Sequence, residues 1–187
     1  MSKRDHIAEV ADKVFYTEGF SSVGIDRIVD EAGVALGTLY KYFGSKSGLV
    51  VGALEHRHTV YLSELEDYAI GKKGDELVLS LFDGLLDWAE RNGGNGCFFL
   101  RAAADHPDDQ AIRDAAFNHK HLCLSLIEAR LRETDRTEAT SKQLAALVYI
   151  LLEGAVSACP ILGDRAAIIG ARDAAAALLS KEAVRRS

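Results

Sequence analysis

Residues 22 to 46 read SVGIDRIVDEAGVALGTLYKYFGSK, and this stretch decides the fold. Ile25, Ile28, Val29 and Ala32 recur at helical spacing, so one face of a short helix is buried. Gly33 follows directly, where a helix stop favours a residue tolerant of positive φ. Val34 puts an apolar side chain inside the turn, as a plug between two crossing helices requires. In the helix after it, Leu39 and Phe43 are four apart and face the core. Leu36, Gly37, Tyr40 and Lys41 then lie mostly on the other side. Ser45 is suited to cap the helix that comes next. The spacing predicts a helix-turn-helix whose second helix turns small and hydrogen-bonding groups outward. A DNA major groove accepts such a face.

Further motifs surround this core. The runs Ala32-Gly33-Val34, Gly37-Thr38-Leu39-Tyr40, Tyr42-Phe43 and Ser45-Lys46 stand together, behind a first helix with Ala11, Phe15, Gly19 and Phe20. With them, the segment from about Ile7 to Leu49 resembles the DNA-binding domain of the TetR family of bacterial transcriptional regulators. Gly37 lets the backbone come close to DNA, and Thr38, Tyr42 and Lys46 reach phosphates. Lys46 opens a helix whose N-terminal amides also point at a phosphate. Leu36 and Lys41 are expected to set which sequence is preferred, Tyr40 lies on the same outer face, and Arg27 adds a cation on the preceding helix. Two positions depart from the family pattern. Gly24 stands where Thr or Ser is usual, and Ala35-Leu36 where Ser plus a polar or basic residue is common. Both changes remove hydrogen bonds to DNA, while Gly24 still serves as an N-cap at a cost of a few tenths of a kcal/mol.

Charge gives no basic footprint of the kind nucleic-acid binders usually carry. The 187-residue chain has a formal net charge of -6. Within its first fifty residues Lys3, Arg4, Lys13, Arg27, Lys41 and Lys46 stand against Asp5, Glu9, Asp12, Glu18, Asp26, Asp30 and Glu31. The acids Asp12, Glu18, Asp30 and Glu31 must face away from a duplex. The polar start, with no apolar run behind Lys3 and Arg4, predicts a chain without a signal peptide and a cytoplasmic protein. Cys97, Cys123 and Cys159 are odd in number and far apart, so they indicate neither a disulfide framework nor a zinc site.

Hydrophobic content of 48% and only two prolines suit a helical chain, and no stretch alternates with period two. The expected fold is all-α with about nine helices: a helix-turn-helix head over residues 1–48 on a larger helical body over 49–187. The first helix runs about Lys3 to Glu18 and the fourth about Lys46 to Ala69, long enough to join head to body. Gly71 to Gly74 break the chain before a fifth helix, about Asp75 to Arg91, with Leu77, Val78, Leu81, Phe82, Leu85 and Trp88 buried. Asn92 to Gly96 form a loop. A short helix from Cys97 to Asp105 and a long one to about Glu133 come next. The segment from Glu138 to about Ser157 is apolar nearly all round between Leu144 and Leu152, so it is expected to be buried on more than one side. Leu144 to Leu162 carries one charge, Glu153, with Gly154 and Pro160 in its path, and a buried interface helix explains it better than a membrane span. The last helix, about Asp164 to Glu182, is rich in small residues that allow close helix approach. The last two helices are expected to form half of a four-helix interface with a second copy, which the resemblance also implies.

Enzyme chemistry finds little support. Glu55-x-x-His58 lacks the second such pair of a di-iron bundle. His119 and Cys123 are one turn apart without an evident third metal ligand. No phosphate loop or nucleophile elbow is present, and no metal or other cofactor is expected. The resemblance implies instead a body that holds a small-molecule effector, with Tyr61, Phe82, Leu85, Trp88, Phe98, Phe99 and Phe117 as apolar liners and His58 and His121 as polar contacts. The expected protein is a homodimeric repressor of double-stranded operator DNA, released by a mostly apolar ligand. The rival is a helical adaptor or enzyme that does not read DNA.

Overall fold

A computed structural model of the protein describes residues 2–92, 95–134, 136–163 and 165–184, with backbone alone at 182–184. The described residues form nine helices and no strand: α1 (Lys3–Glu18), α2 (Ile25–Ala32), α3 (Leu36–Phe43), α4 (Lys46–Ala69), α5 (Gly74–Asn92), α6 (Phe98–Asp105), α7 (Gln110–Arg132), α8 (Glu138–Leu162) and α9 (Ala166–Val184). Of the expected loop and helix start, Gly93, Gly94 and Asp164 lie outside the described residues.

Local chemistry sets the helix ends. The Ser2 hydroxyl accepts from the Asp5 amide while the Asp5 carboxylate accepts from the Ser2 amide, a reciprocal cap on α1. Gly33 ends α2 with φ of 61°, a left-handed conformation that favours glycine. One expectation needs correction: α8 does not end near Ser157 but continues through Pro160 to Leu162. A proline in the last turn removes a single backbone donor, and the helix closes beyond it with the Gly163 amide on the Cys159 carbonyl at 3.0 Å.

The chain forms two compact units, each drawn from two separate segments of the chain. The first comprises Met1–Leu62 with Cys97–His119, the second Ser63–Gly96 with Lys120–Ser187. In the first, α1 packs on α2 and α3 around Ile7, Ala11, Phe15, Phe20, Ile28 and Leu39. Phe20 stacks between Phe15 (ring centroids 5.2 Å apart) and Phe98 of α6 (4.8 Å). A buried ion pair completes this core. The Arg57 guanidinium reaches both oxygens of Asp12, with Nε at 2.9 and 3.0 Å, and lies over the rings of Tyr16 and Phe98. Arg101 donates to the Tyr16 carbonyl at 2.9 Å, so α6 is held to α1 by a second cation.

In the second unit α9 packs on α8 and α5. Leu81, Phe82, Ile127, Leu131, Val148 and Leu179 fill its core. Leu77, Leu85 and Trp88 of α5 are half-buried, less enclosed than their spacing suggests. The buried Arg130 donates to the carbonyls of Leu77 and Leu65 at 2.9 and 3.2 Å. By length and composition α8 could cross a membrane. Its central Glu153 instead pairs with Lys120 at 2.6 Å, and its Leu144, Ala145, Val148 and Leu152 are buried.

Candidate nucleic-acid interface

The interface is built on three buried side chains. Ile28 of α2 and Leu39 of α3 are fully enclosed, and Phe43 closes the end of α3. Two glycines of α4 let Phe43 sit tightly against that helix. A Cβ at Gly52 would lie 2.4 Å from the Phe43 ring, and one at Gly48 would lie 2.0 Å from the Phe43 carbonyl oxygen. The Ser45 hydroxyl accepts from the Gly48 amide at 3.0 Å, capping α4 as the sequence suggests. Asp109, just before α7, hydrogen bonds with Ser47 in the same first turn, and this bond leads the causes that hold its carboxyl below the usual range.

With Leu39 and Phe43 turned inward, the remaining face of α3 is open. Leu36 is 43% exposed, Tyr40 44% and Tyr42 39%, and Lys41 is exposed with them. A Cβ at Gly37 would meet nothing within 4 Å, so the backbone there faces open space. Thr38 and Lys46 are half-buried. The outer face is thus small, aromatic and weakly basic. Arg27 stands differently from its fellow candidates: its guanidinium is held by Glu18 at 2.9 Å and Glu31 at 2.8 Å. Those two acids are thereby engaged within the head, and Asp12 is buried against Arg57.

The candidate effector residues are spread over both units. In the first, His58 and His119 bring their Nδ1 atoms to 2.9 Å, and Phe99 stacks on the His119 ring with centroids 3.5 Å apart. Tyr61 approaches the same ring edge-on at 5.4 Å. Burial holds the His58 imidazole below its usual range. Phe98 is a core ring packed on Tyr16 and Phe20, whereas Phe117 is 66% exposed on α7. In the second unit Phe82 is buried, Leu85 and Trp88 are half-buried, and His121 is exposed. An open cleft there of about 330 Å³ is lined by Glu64, Asp67, Tyr68 and Arg91, a polar set rather than the apolar one expected. Spacing set His119 beside Cys123 and did not connect it with His58 of α4 or Phe99 of α6.

Two family profiles match the chain: "Bacterial regulatory proteins, tetR family" over residues 7–53, and "Tetracyclin repressor-like, C-terminal domain" over residues 74–175. The HTH-type transcriptional regulator LmrA of Bacillus subtilis (strain 168) is 24% identical over 168 residues, covering 82% of this chain and 84% of LmrA. The regulator SAB2452 of Staphylococcus aureus (strain bovine RF122 / ET3-1) is 30% identical over 66 residues, 35% of this chain and 36% of that protein. Among solved structures, the TetR-family transcriptional regulator SCO4454 from Streptomyces coelicolor aligns with a TM-score of 0.84 at 25% identity, covering 96% of this chain and 95% of that one. NemR of E. coli in its reduced form aligns with a TM-score of 0.81 at 21% identity, over 94% and 95% of the two chains.

Proposed function

Because the chain belongs to the TetR family of DNA-binding transcriptional regulators, which are not enzymes, we propose that it is a homodimeric repressor released from a palindromic operator by a small, mostly apolar effector. The open face of α3, on which Leu36, Gly37, Tyr40 and Lys41 stand outside the core, carries this reading. The recognition helix enters the major groove, and Thr38, Tyr42 and Lys46 hold the flanking phosphates. Arg27 joins them only by leaving its carboxylate partners.

Dimerisation runs through α8 and α9. Their exposed apolar side chains Leu147, Ile150, Ile161, Leu162 and Ile169, with the exposed small residues Gly170, Ala174 and Ala177, support a second copy as the cover. Two half-sites then lie one DNA turn or a multiple apart, about 34–36 Å per turn. The effector engages the His58, Tyr61, Phe99 and His119 cluster, where aromatic faces adjoin ring nitrogens able to orient a polar group. Binding there shifts α4, on which His58 and Tyr61 stand, and so changes the separation of the recognition helices. The protein acts in the cytoplasm, where its operator is.

Selection of duplexes from a random library by the purified chain tests the reading. An enriched inverted repeat is expected and supplies the operator against which effectors are screened. Folded protein that enriches no duplex refutes it and returns the chain to a role apart from sequence reading.

A further inference from the structure

We infer that Leu36 reads the C5-methyl group of a thymine in the operator half-site. The inference rests on the DNA-reading function proposed above and takes it to the chemistry of one base contact. Residues at the N-terminal end of a recognition helix contact base edges. In this chain those residues are Ala35, Leu36 and Gly37, and none has a side chain that donates or accepts a hydrogen bond. Ala35 occupies the N-cap with no side-chain bond to the helix. The next residue, Thr38, is half-buried, and its amide is committed to the Ala35 carbonyl at 2.8 Å. Upstream, the Arg27 guanidinium is held between Glu18 and Glu31. Hydrogen-bonding side chains on the open face therefore begin a turn later, at Tyr40 and Lys41.

Leu36 itself is not needed by the core. It is 43% exposed, whereas Leu39 on the same helix is fully enclosed. In the major groove guanine, adenine and cytosine present hydrogen-bonding groups, and an aliphatic side chain against them would strip water without replacing it. Thymine alone of the four offers a methyl group. Gly37, open on its outer side, lets the backbone approach until Leu36 meets that methyl. Burying one methyl group corresponds to about a fourfold gain in affinity.

The test replaces each operator thymine singly by deoxyuridine, which deletes the methyl and leaves base pairing intact. Wild-type protein is expected to lose about fourfold in affinity at one thymine of the half-site. Leu36→Ala is expected to bind the thymine and uracil duplexes alike at that position. Affinity unchanged by uracil at every position overturns the inference, and so does a difference that persists in Leu36→Ala. The uracil series uses unaltered protein, so it can overturn the inference even if a variant is unstable. Either of those results leaves DNA reading intact. Failure to select any operator removes DNA reading itself, and the thymine contact with it.

Discussion

Gly37→Ala separates folding from function, because the two should move in opposite directions. Gly37 is helical and absent from the positive-φ glycines, so alanine adopts its conformation without strain. The new Cβ meets no protein atom within 4 Å. Replacing a first-turn glycine of compatible conformation by alanine stabilises by about 0.4–1 kcal/mol, chiefly by narrowing the unfolded ensemble. For a chain of this length each kcal/mol raises Tm by about 2–4 °C, so a rise of about 1–4 °C is expected by calorimetry. On DNA the same methyl must fit between α3 and the groove wall. Overpacking of a close contact costs about 1–3 kcal/mol, or about 5- to 150-fold in Kd. Fluorescence anisotropy on the selected operator measures that loss beside the melting curve. A variant that is more stable and binds equally well would refute the close approach of α3 to DNA at this residue. A variant that is less stable would refute the account of its protein surroundings.

Gly48→Ala should do the reverse of Gly37→Ala in the melt. Its Cβ would lie 2.0 Å from a backbone oxygen, which cannot rotate away, so destabilisation of about 1–3 kcal/mol is expected from overpacking, partly offset by helix propensity. An unchanged melting temperature would contradict the tight docking of α3 on α4. Arg57→Ala strands the buried Asp12 carboxylate and should cost about 3–5 kcal/mol in urea denaturation, with part recovered on adding Asp12→Asn. A loss below about 1 kcal/mol would place the pair among weak surface bridges. Burial pushes the Asp83 carboxyl up, but Lys72 and Arg172 outweigh it and hold it below its ordinary range. Its contribution is therefore present above the ordinary aspartate pKa and lost as pH falls through the lowered value. The stability difference between wild type and Asp83→Asn should shrink on acidification, and a difference that grows would reverse the assignment.

The helix-turn-helix was legible because its signals are local. A helical apolar spacing, a glycine at the stop and a serine at the next start each act within a few residues, and Gly33 and Ser45 behave accordingly. Helix order and the outward face of α3 were read from the same signals. What joins distant segments was not legible. Asp12 and Arg57 are 45 positions apart and His58 and His119 are 61, and no spacing rule connects such residues. Gly48 and Gly52 look like weak points in a helix until the Phe43 ring and carbonyl are set beside them. Pro160 misled for the opposite reason. The helix was expected to end near Ser157, before it, yet the final turn of α8 tolerates one missing donor. The compact units also cut across chain order, because the Phe20–Phe98 stack draws α6 to the head.

The clamp on Arg27 bears on how the operator responds to its ionic surroundings. Binding releases the small cations condensed on DNA, about 0.9 for each phosphate a protein cation neutralises. Arg27 between Glu18 and Glu31 brings no net positive charge to a phosphate, and Arg4 with Glu55 and Lys13 with Glu9 are likewise balanced within the head. Few ions are then released, and the logarithm of affinity falls only gently with the logarithm of salt concentration. Freeing Arg27 by Glu18→Gln with Glu31→Gln would steepen that slope by about 0.9 if it then takes one phosphate. On the function proposed above, operator occupancy in the native chain is then only weakly sensitive to salt concentration.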